Sequence, residues 1–94
     1  MENLEKRNFH YYERIVRGFS NHRRIEILGL LAQSPQMSVL EIADALRINF
    51  KTASEHIRRL AIADLVSKRS DGTSIRHSLT PRGTSVLKFL RTLA

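Results

Sequence analysis

Residues Ser38–Leu65 read SVLEIADALRINFKTASEHIRRLAIADL and contain two amphipathic patterns separated by three residues. In the first pattern Glu41 follows Ser38 by three residues, which is the spacing of a helix capping box. Its apolar residues recur at helical spacing, namely Val39, Leu40, Ile42, Ala43 and Leu46. Residues 47–49 interrupt the pattern, and Asn49 is a favoured N-cap for a second helix that begins at Phe50.

The second pattern predicts a helix with two chemically different faces. The face predicted to be buried carries Phe50, Ala53, Ile57, Leu60 and Ala61. The opposite face carries Lys51, Thr52, Glu55, Arg58 and Arg59. A short helix, a tight turn and a second helix with a basic outer face are typical of a helix-turn-helix, whose second helix lies in the DNA major groove.

The composition is consistent with a small, basic, single-domain protein. The chain has 94 residues, and 16 Lys and Arg against 9 Asp and Glu give a net charge of +7, which favours a nucleic-acid partner. There is no cysteine, which excludes disulfides and thiolate metal sites and fits a cytoplasmic location. The polar N-terminus and the lack of a long apolar run predict neither a signal peptide nor a membrane span.

Two further helices are predicted before the helix-turn-helix. The first covers residues 3–18, ends at Gly18 and carries an apolar stripe of Phe9, Tyr12, Val16 and Phe19. The second covers residues 22–33, and its predicted buried face is Ile25, Leu28, Leu31 and Ala32, widened by Ile27 and Leu30. Gly29 is predicted to permit a close helix crossing, and Gln36-Met37 to form a very short strand.

A β-hairpin and a last helix follow the helix-turn-helix. In residues 66–80 the pair Asp71-Gly72 predicts a type I′ turn, with Val66, Ile75 and Leu79 pointing inward. Pro81 follows Thr80 at the favoured first position of a helix over residues 81–93, whose stripe is Val86, Leu90 and Leu93. The predicted fold is therefore mainly α (α+β), a winged helix-turn-helix with about five helices and a two- or three-stranded β-wing, in one domain over 1–94.

The chain resembles the ArsR-type family of small dimeric bacterial and archaeal repressors over roughly residues 20–83. The resemblance is carried by NHRRIEILGLLA, LEIADAL, SEHIRRL and ADLVSKRSDGTSIRHSLTPRG. The family's Ser-x-His-Leu-x-x-Leu pattern corresponds to residues 54–60, and Asp64 stands where a glycine is usual. The cysteines and the last-helix His and acidic ligands of the family's metal sensors have no counterpart, so the resemblance does not support metal sensing.

The predicted DNA contacts lie on the second motif helix and on the wing. They are Lys51, Thr52, Ser54, Glu55, His56, Arg58, Arg59, Lys68, Arg69 and Arg76. The alternatives are an ordinary solvated helix face and, for His56, packing against the wing. The resemblance implies that the terminal helices 3–18 and 81–93 build a homodimer through Phe9, Tyr12, Val16, Phe19, Val86, Leu90 and Leu93. These stripes are alternatively plain core.

The predicted function is a sequence-specific regulator that binds double-stranded DNA as a homodimer on a pseudo-palindromic operator, and the resemblance implies repression. No phosphate loop, nucleophile elbow or cofactor fingerprint is present, so we expect neither an enzyme nor a cofactor. His10, His22, His56 and His77 fall in four different elements, and no metal is expected. The alternatives are a winged-helix protein-interaction module and a small-molecule-responsive sensor of the same fold.

Overall fold

The computed structural model describes residues 8–94, and this part of the chain contains five helices and one hairpin. In order they are α1 (Phe9–Phe19), α2 (His22–Gln33), α3 (Val39–Leu46), α4 (Phe50–Ile62), β1 (Val66–Ser70), β2 (Ile75–Leu79) and α5 (Pro81–Arg91). This is the predicted winged helix-turn-helix. The predicted start of the first helix, residues 3–7, lies outside the described residues, and α5 ends at Arg91 instead of residue 93.

Side-chain caps fix the turn between α3 and α4. The Ser38 hydroxyl accepts from the Glu41 N–H at 3.1 Å, and the Glu41 carboxylate accepts from the Ser38 N–H at 2.9 Å, so the predicted capping box is confirmed. Arg47 ends α3 in the left-handed conformation, with φ of 57°. The Asn49 side chain then accepts from the first N–H groups of α4, those of Lys51 and Thr52. The cap residues that fix this three-residue turn can therefore be recognised in the sequence.

The core lies between α2, α3 and α4 and the residues that follow α4. Its fully buried aliphatic side chains are Ile27, Leu28, Leu31, Ile42, Ile57, Leu60 and Leu65. The predicted inward positions Ile25 and Ala32 are wrong, because α2 is rolled so that Ile27 faces the core instead. Phe50 is also not buried; it is 54% exposed, since the first turn of α4 extends beyond the core.

The wing differs from the predicted hairpin at its tip and on its inner face. The strands pair antiparallel with Val66 opposite Leu79, but a loop of residues 71–74 replaces the predicted two-residue type I′ turn. The Asp71 carboxylate closes this loop by accepting from the N–H groups of Thr73 and Ser74. Ile75, predicted to point inward, is exposed, and His77 is buried in its place.

His77 also joins the wing to the segment before α3. Its backbone N–H donates to the Met37 carbonyl at 2.9 Å, and its backbone carbonyl accepts from the Gln36 backbone N–H at 2.9 Å. The predicted short strand is therefore a single bridge at Met37. Burial lowers the pKa of His77 below its usual value, which favours the neutral ring at this junction.

Close helix contacts occur at Gly18 and Gly83, not at the predicted Gly29. A Cβ atom on Gly83 would collide with the Leu65 carbonyl oxygen, and one on Gly18 with the Ala63 side chain. At Gly29 a Cβ would meet nothing within 4 Å. The prediction that Gly18 ends the first helix is also wrong, because this buried glycine lies within α1, where it lets α1 approach the end of α4.

Two glycine substitutions should therefore change stability in opposite directions. We expect Gly29→Ala to raise the free energy of unfolding by about 0.5–1 kcal/mol, since alanine restricts the unfolded chain and its Cβ would meet nothing within 4 Å at this helical position. Gly83→Ala should lower it by about 1–3 kcal/mol, because a rigid carbonyl occupies the required space. Urea denaturation of both variants measures the two values, and equal stabilisation would contradict the close contact at Leu65.

Candidate nucleic-acid interface

The outward face of α4 carries the residues predicted to contact DNA. Lys51, Thr52, Glu55, Arg58 and Arg59 are exposed, whereas Ser54 and His56 are half-buried on the flanks of the helix. The buried face of the same helix, formed by Ala53, Ile57 and Leu60, holds it against the core. The fold thus presents a row of polar and cationic side chains on one rigid element.

Glu55 holds both arginines of this face. Its two carboxylate oxygens accept from Nε and from one terminal nitrogen of Arg58, each at 3.0 Å, and Oε2 also accepts from Arg59 Nε at 3.0 Å. These bonds lower the pKa of Glu55 to about 2, so the carboxylate is ionised at neutral pH. The predicted DNA contact of Glu55 therefore competes with its two arginine partners.

His56 lies against α2. Its Nδ1 accepts from Nε of Arg24 at 3.2 Å, and burial together with the Arg24 charge lowers the pKa of the imidazole. Since Nδ1 is the acceptor, the proton of the neutral ring is on Nε2, which is left as a donor. The side chain packs on α2, in place of the wing contact considered as the alternative. Arg24 was not predicted as a site residue, because a contact across 32 positions leaves no local pattern.

The three predicted wing cations do not share a face. Arg69 pairs directly with Arg76 across the hairpin, whereas Lys68 pairs with His77 on the other side. Arg76 binds two carboxylates, Asp71 at 2.9 Å and Glu41 at 3.0 Å. The backbone N–H groups of Ser74 and Thr73, and after them the Arg76 guanidinium, hold the pKa of Asp71 well below its usual range.

Arg69 is bonded less strongly than Arg76. Its guanidinium donates to the Gln36 side-chain oxygen at 3.2 Å, and Gln36 in turn donates to the Ser78 hydroxyl at 2.7 Å. An exposed cation on a neutral amide gives up that partner more readily than one held by two carboxylates. Of the arginine pair, Arg69 is the one available to an external anion. Gln36 has a left-handed backbone, φ 70°, and no sequence signal indicated its role.

The terminal helices expose part of the apolar stripes predicted for a dimer. Phe9 and Val16 on α1 are 52% and 51% exposed, and Leu93 beyond α5 is 67% exposed. Tyr12, Phe19, Val86 and Leu90 are half-buried, and two of them, Phe19 and Val86, pack against the core. Each stripe therefore combines residues that complete the core with residues whose apolar surface remains uncovered in the monomer.

Residues 8–94 contain no group of three or more His, Cys, Asp or Glu side chains arranged to hold a metal ion. His10 lies 3.5 Å from Glu13 on the exposed side of α1, and no third ligand joins this pair within the described residues. Over the same range no helix has the length and apolar character needed to cross a membrane.

Comparison with known proteins agrees with this geometry. Residues 21–68 match the family model described as bacterial regulatory protein, arsR family. The chain is 40% identical over 60 residues to the HTH-type transcriptional regulator Rv0324 of Mycobacterium tuberculosis, covering 64% of this chain and 26% of that protein. It is 37% identical over 59 residues to the uncharacterized HTH-type transcriptional regulator MJ1325 of Methanocaldococcus jannaschii, covering 63% of this chain and 66% of the other.

A solved structure extends the match beyond the helix-turn-helix. The homodimeric winged helix-turn-helix DNA-binding domain Mb0332 of Mycobacterium bovis, a possible ArsR-family transcriptional regulator, superimposes with a TM-score of 0.81 at 27% identity. The match covers 99% of this chain and 89% of that domain. The fold is that of a winged helix-turn-helix protein. The chain belongs to the ArsR family of bacterial regulatory proteins.

Removing the Glu55 carboxylate should strengthen binding to duplex DNA of arbitrary sequence. In Glu55→Gln the helix face loses an anion and both arginines lose their partner, so we expect about a threefold to tenfold rise in affinity at about 0.1 M salt. Glu26→Gln is the matched control, because Glu26 forms a comparable exposed pair with Arg23 on α2. Fluorescence anisotropy compares the three proteins, and an unchanged or lower affinity for Glu55→Gln would contradict the competition described above.

Proposed function

We propose that this protein is a sequence-specific transcriptional regulator that binds duplex DNA, with α4 in the major groove and the wing beside it. The observation that carries the proposal is the exposed row of Lys51, Thr52, Arg58 and Arg59 on the capped, core-anchored helix of a helix-turn-helix. Family membership supports the same assignment. Because the proposed target is DNA, we further propose that the protein acts in the cytoplasm and is not an enzyme.

Base reading and phosphate binding fall to different residues in this proposal. The N-terminal part of a recognition helix contacts base edges, which assigns sequence recognition to Lys51, Thr52 and the exposed ring of Phe50. A phenyl ring in this position suits the methyl group of thymine. Arg59, Lys68 and Arg69 are assigned to phosphates, which supply affinity without sequence information. Arg58 gives Nε and one terminal nitrogen to Glu55, which leaves the N–H groups of its other edge for a base.

We propose that the protein acts as a homodimer and represses transcription by occupying a pseudo-palindromic operator. The uncovered apolar surface of Phe9, Val16 and Leu93 supports a contact between terminal helices of two copies. The Mycobacterium bovis domain with which the chain superimposes is homodimeric. A two-fold protein presents two recognition helices at the spacing of successive major grooves, which is why such operators have two half-sites.

DNA binding should depend steeply on salt. If a dimer neutralises about 6–10 phosphates, its affinity should fall by about 10³–10⁵ between about 50 and 200 mM salt, because bound cations are released from the DNA. A titration against a duplex selected from a random pool tests both parts of the proposal. A two-fold symmetric consensus with a steep salt slope is the expected result, and a flat affinity would refute DNA binding.

A substitution that places a charge in the apolar stripe of α1 should dissociate the dimer into monomers. Phe9→Glu places a carboxylate on a surface proposed to meet a second copy, and we expect a monomer at micromolar concentration with weakened operator binding. Leu40→Glu is the control, because Leu40 is equally exposed on α3, outside the terminal helices. Sedimentation should give a dimer for the control and the unmutated protein. A monomeric unmutated protein would contradict the dimer.

A further inference from the structure

Four arginines from three helices line one cleft beside the recognition helix. The cleft has a volume of about 200 Å³ and lies between α1, α2 and α4. Arg14 and Arg17 come from α1, Arg24 from α2 and Arg59 from α4, and the floor includes Ala63 and Ile62. Arg14, Arg17 and Arg24 were not predicted as site residues, because they belong to two different helices and show no common spacing in the sequence.

The cleft lies on the flank of α4 that faces α1 and α2. Thr52, His56, Arg59 and Ala63 follow one another at helical spacing along this flank. His56 bonds to Arg24, and Ala63 is the residue that Gly18 of α1 approaches most closely. Arg59 thus belongs to the outward row of α4 and to the cleft at once, so the two surfaces are continuous.

Positive charge in the cleft exceeds the negative charge bonded to it. Arg59 bonds to Glu55, and Arg17 bonds to Glu13 at 3.2 Å. Arg24 instead donates to neutral acceptors, namely His56 Nδ1 and the backbone carbonyls of Arg17 and Gly18. Burial, and after it the charge of Arg59, lower the pKa of Arg24, while the charge of Glu55 opposes them.

We propose that this cleft binds a phosphate group, and that in the DNA complex it is a backbone phosphate at the edge of the groove that α4 enters. This inference rests on the proposed function. Several guanidinium groups that converge from three helices suit an anion with several oxygens, because each planar fork can donate two parallel hydrogen bonds. A phosphate at this flank would anchor the side of α4 that faces the helical bundle, while the outward face reads bases.

The test removes charge from α1 and leaves α4 intact. We compare the double variant Arg14→Gln, Arg17→Gln with the double variant Lys88→Gln, Arg91→Gln, which removes the same charge from exposed positions of α5. Binding to a short duplex of arbitrary sequence is measured over a range of salt. The α1 variant should reduce the salt slope by about one unit per protomer, and the α5 variant should leave it unchanged. Equal slopes for the two variants would overturn the proposal.

A second measurement changes the DNA and locates the phosphate along the duplex. Neutral methylphosphonate linkages are placed one at a time along the selected duplex and assayed with the unmutated protein. One linkage per half-site, at the groove edge, should weaken the unmutated protein more than the α1 variant, which keeps Arg24 and Arg59. Equal sensitivity of both proteins at every linkage would contradict the phosphate contact.

A calorimetric titration with inorganic phosphate tests whether the ligand of the cleft is a phosphate of DNA or a free phosphate ion. Calorimetric binding of phosphate that the α1 variant loses, together with an unchanged DNA salt slope, would overturn the DNA assignment. A reduced slope supports it with or without phosphate binding. If the unmutated protein binds no duplex at all, the proposed function itself fails, so the two failures are distinguishable.

Discussion

The contact between α5 and the end of α4 is the constraint on which the position of the wing depends. Gly83 lies against the Leu65 carbonyl, and the Thr80 N–H donates to that same carbonyl at 3.1 Å. The Thr80 hydroxyl donates to the Asp64 carbonyl at 2.6 Å and accepts from the Gly83 N–H at 3.0 Å. Asp64 reverses the chain in the left-handed conformation at this point. The two ends of the hairpin are therefore held together at its base, and the strands leave the domain in a fixed direction.

The local elements of the fold were predictable because their signals are local. The cap residues Ser38, Asn49 and Thr80 start helices where the sequence indicates, and the ends of α2 and α3 were predicted correctly. The spacing of apolar residues was a less reliable guide to which face of a helix is buried. It placed Ile25 of α2 inward, but the roll of a helix is set by all its neighbours together. The prediction for the hairpin tip was wrong because the Asp71 carboxylate accepts hydrogen bonds that favour a longer loop over the two-residue turn expected for Asp71-Gly72.

The candidate site was predicted as a set of residue types and positions, but not as a set of bonds. Nothing in the sequence distinguishes Arg69, held by an amide, from Arg76, held by two carboxylates, since Gln36 and Glu41 lie outside the hairpin. The same holds for Arg24, which orients His56 from α2. Glu55 and its two arginines are close enough in sequence to be predicted as helical neighbours. Their mutual bonds mean that a ligand meets arginines already paired with a carboxylate, and only their remaining N–H groups are available without displacing it.

Glu41 has two roles, and together they limit how the protein can adapt to DNA. The same carboxylate closes the cap of α3 and receives Arg76 from the wing. Arg76 therefore couples the wing to the first helix of the motif, and tilting the wing would break this ion pair. In the proposed DNA complex this ion pair would hold the wing near one distance from the motif. Duplexes whose groove width matches that distance would then bind with less deformation, including at base pairs that no side chain touches.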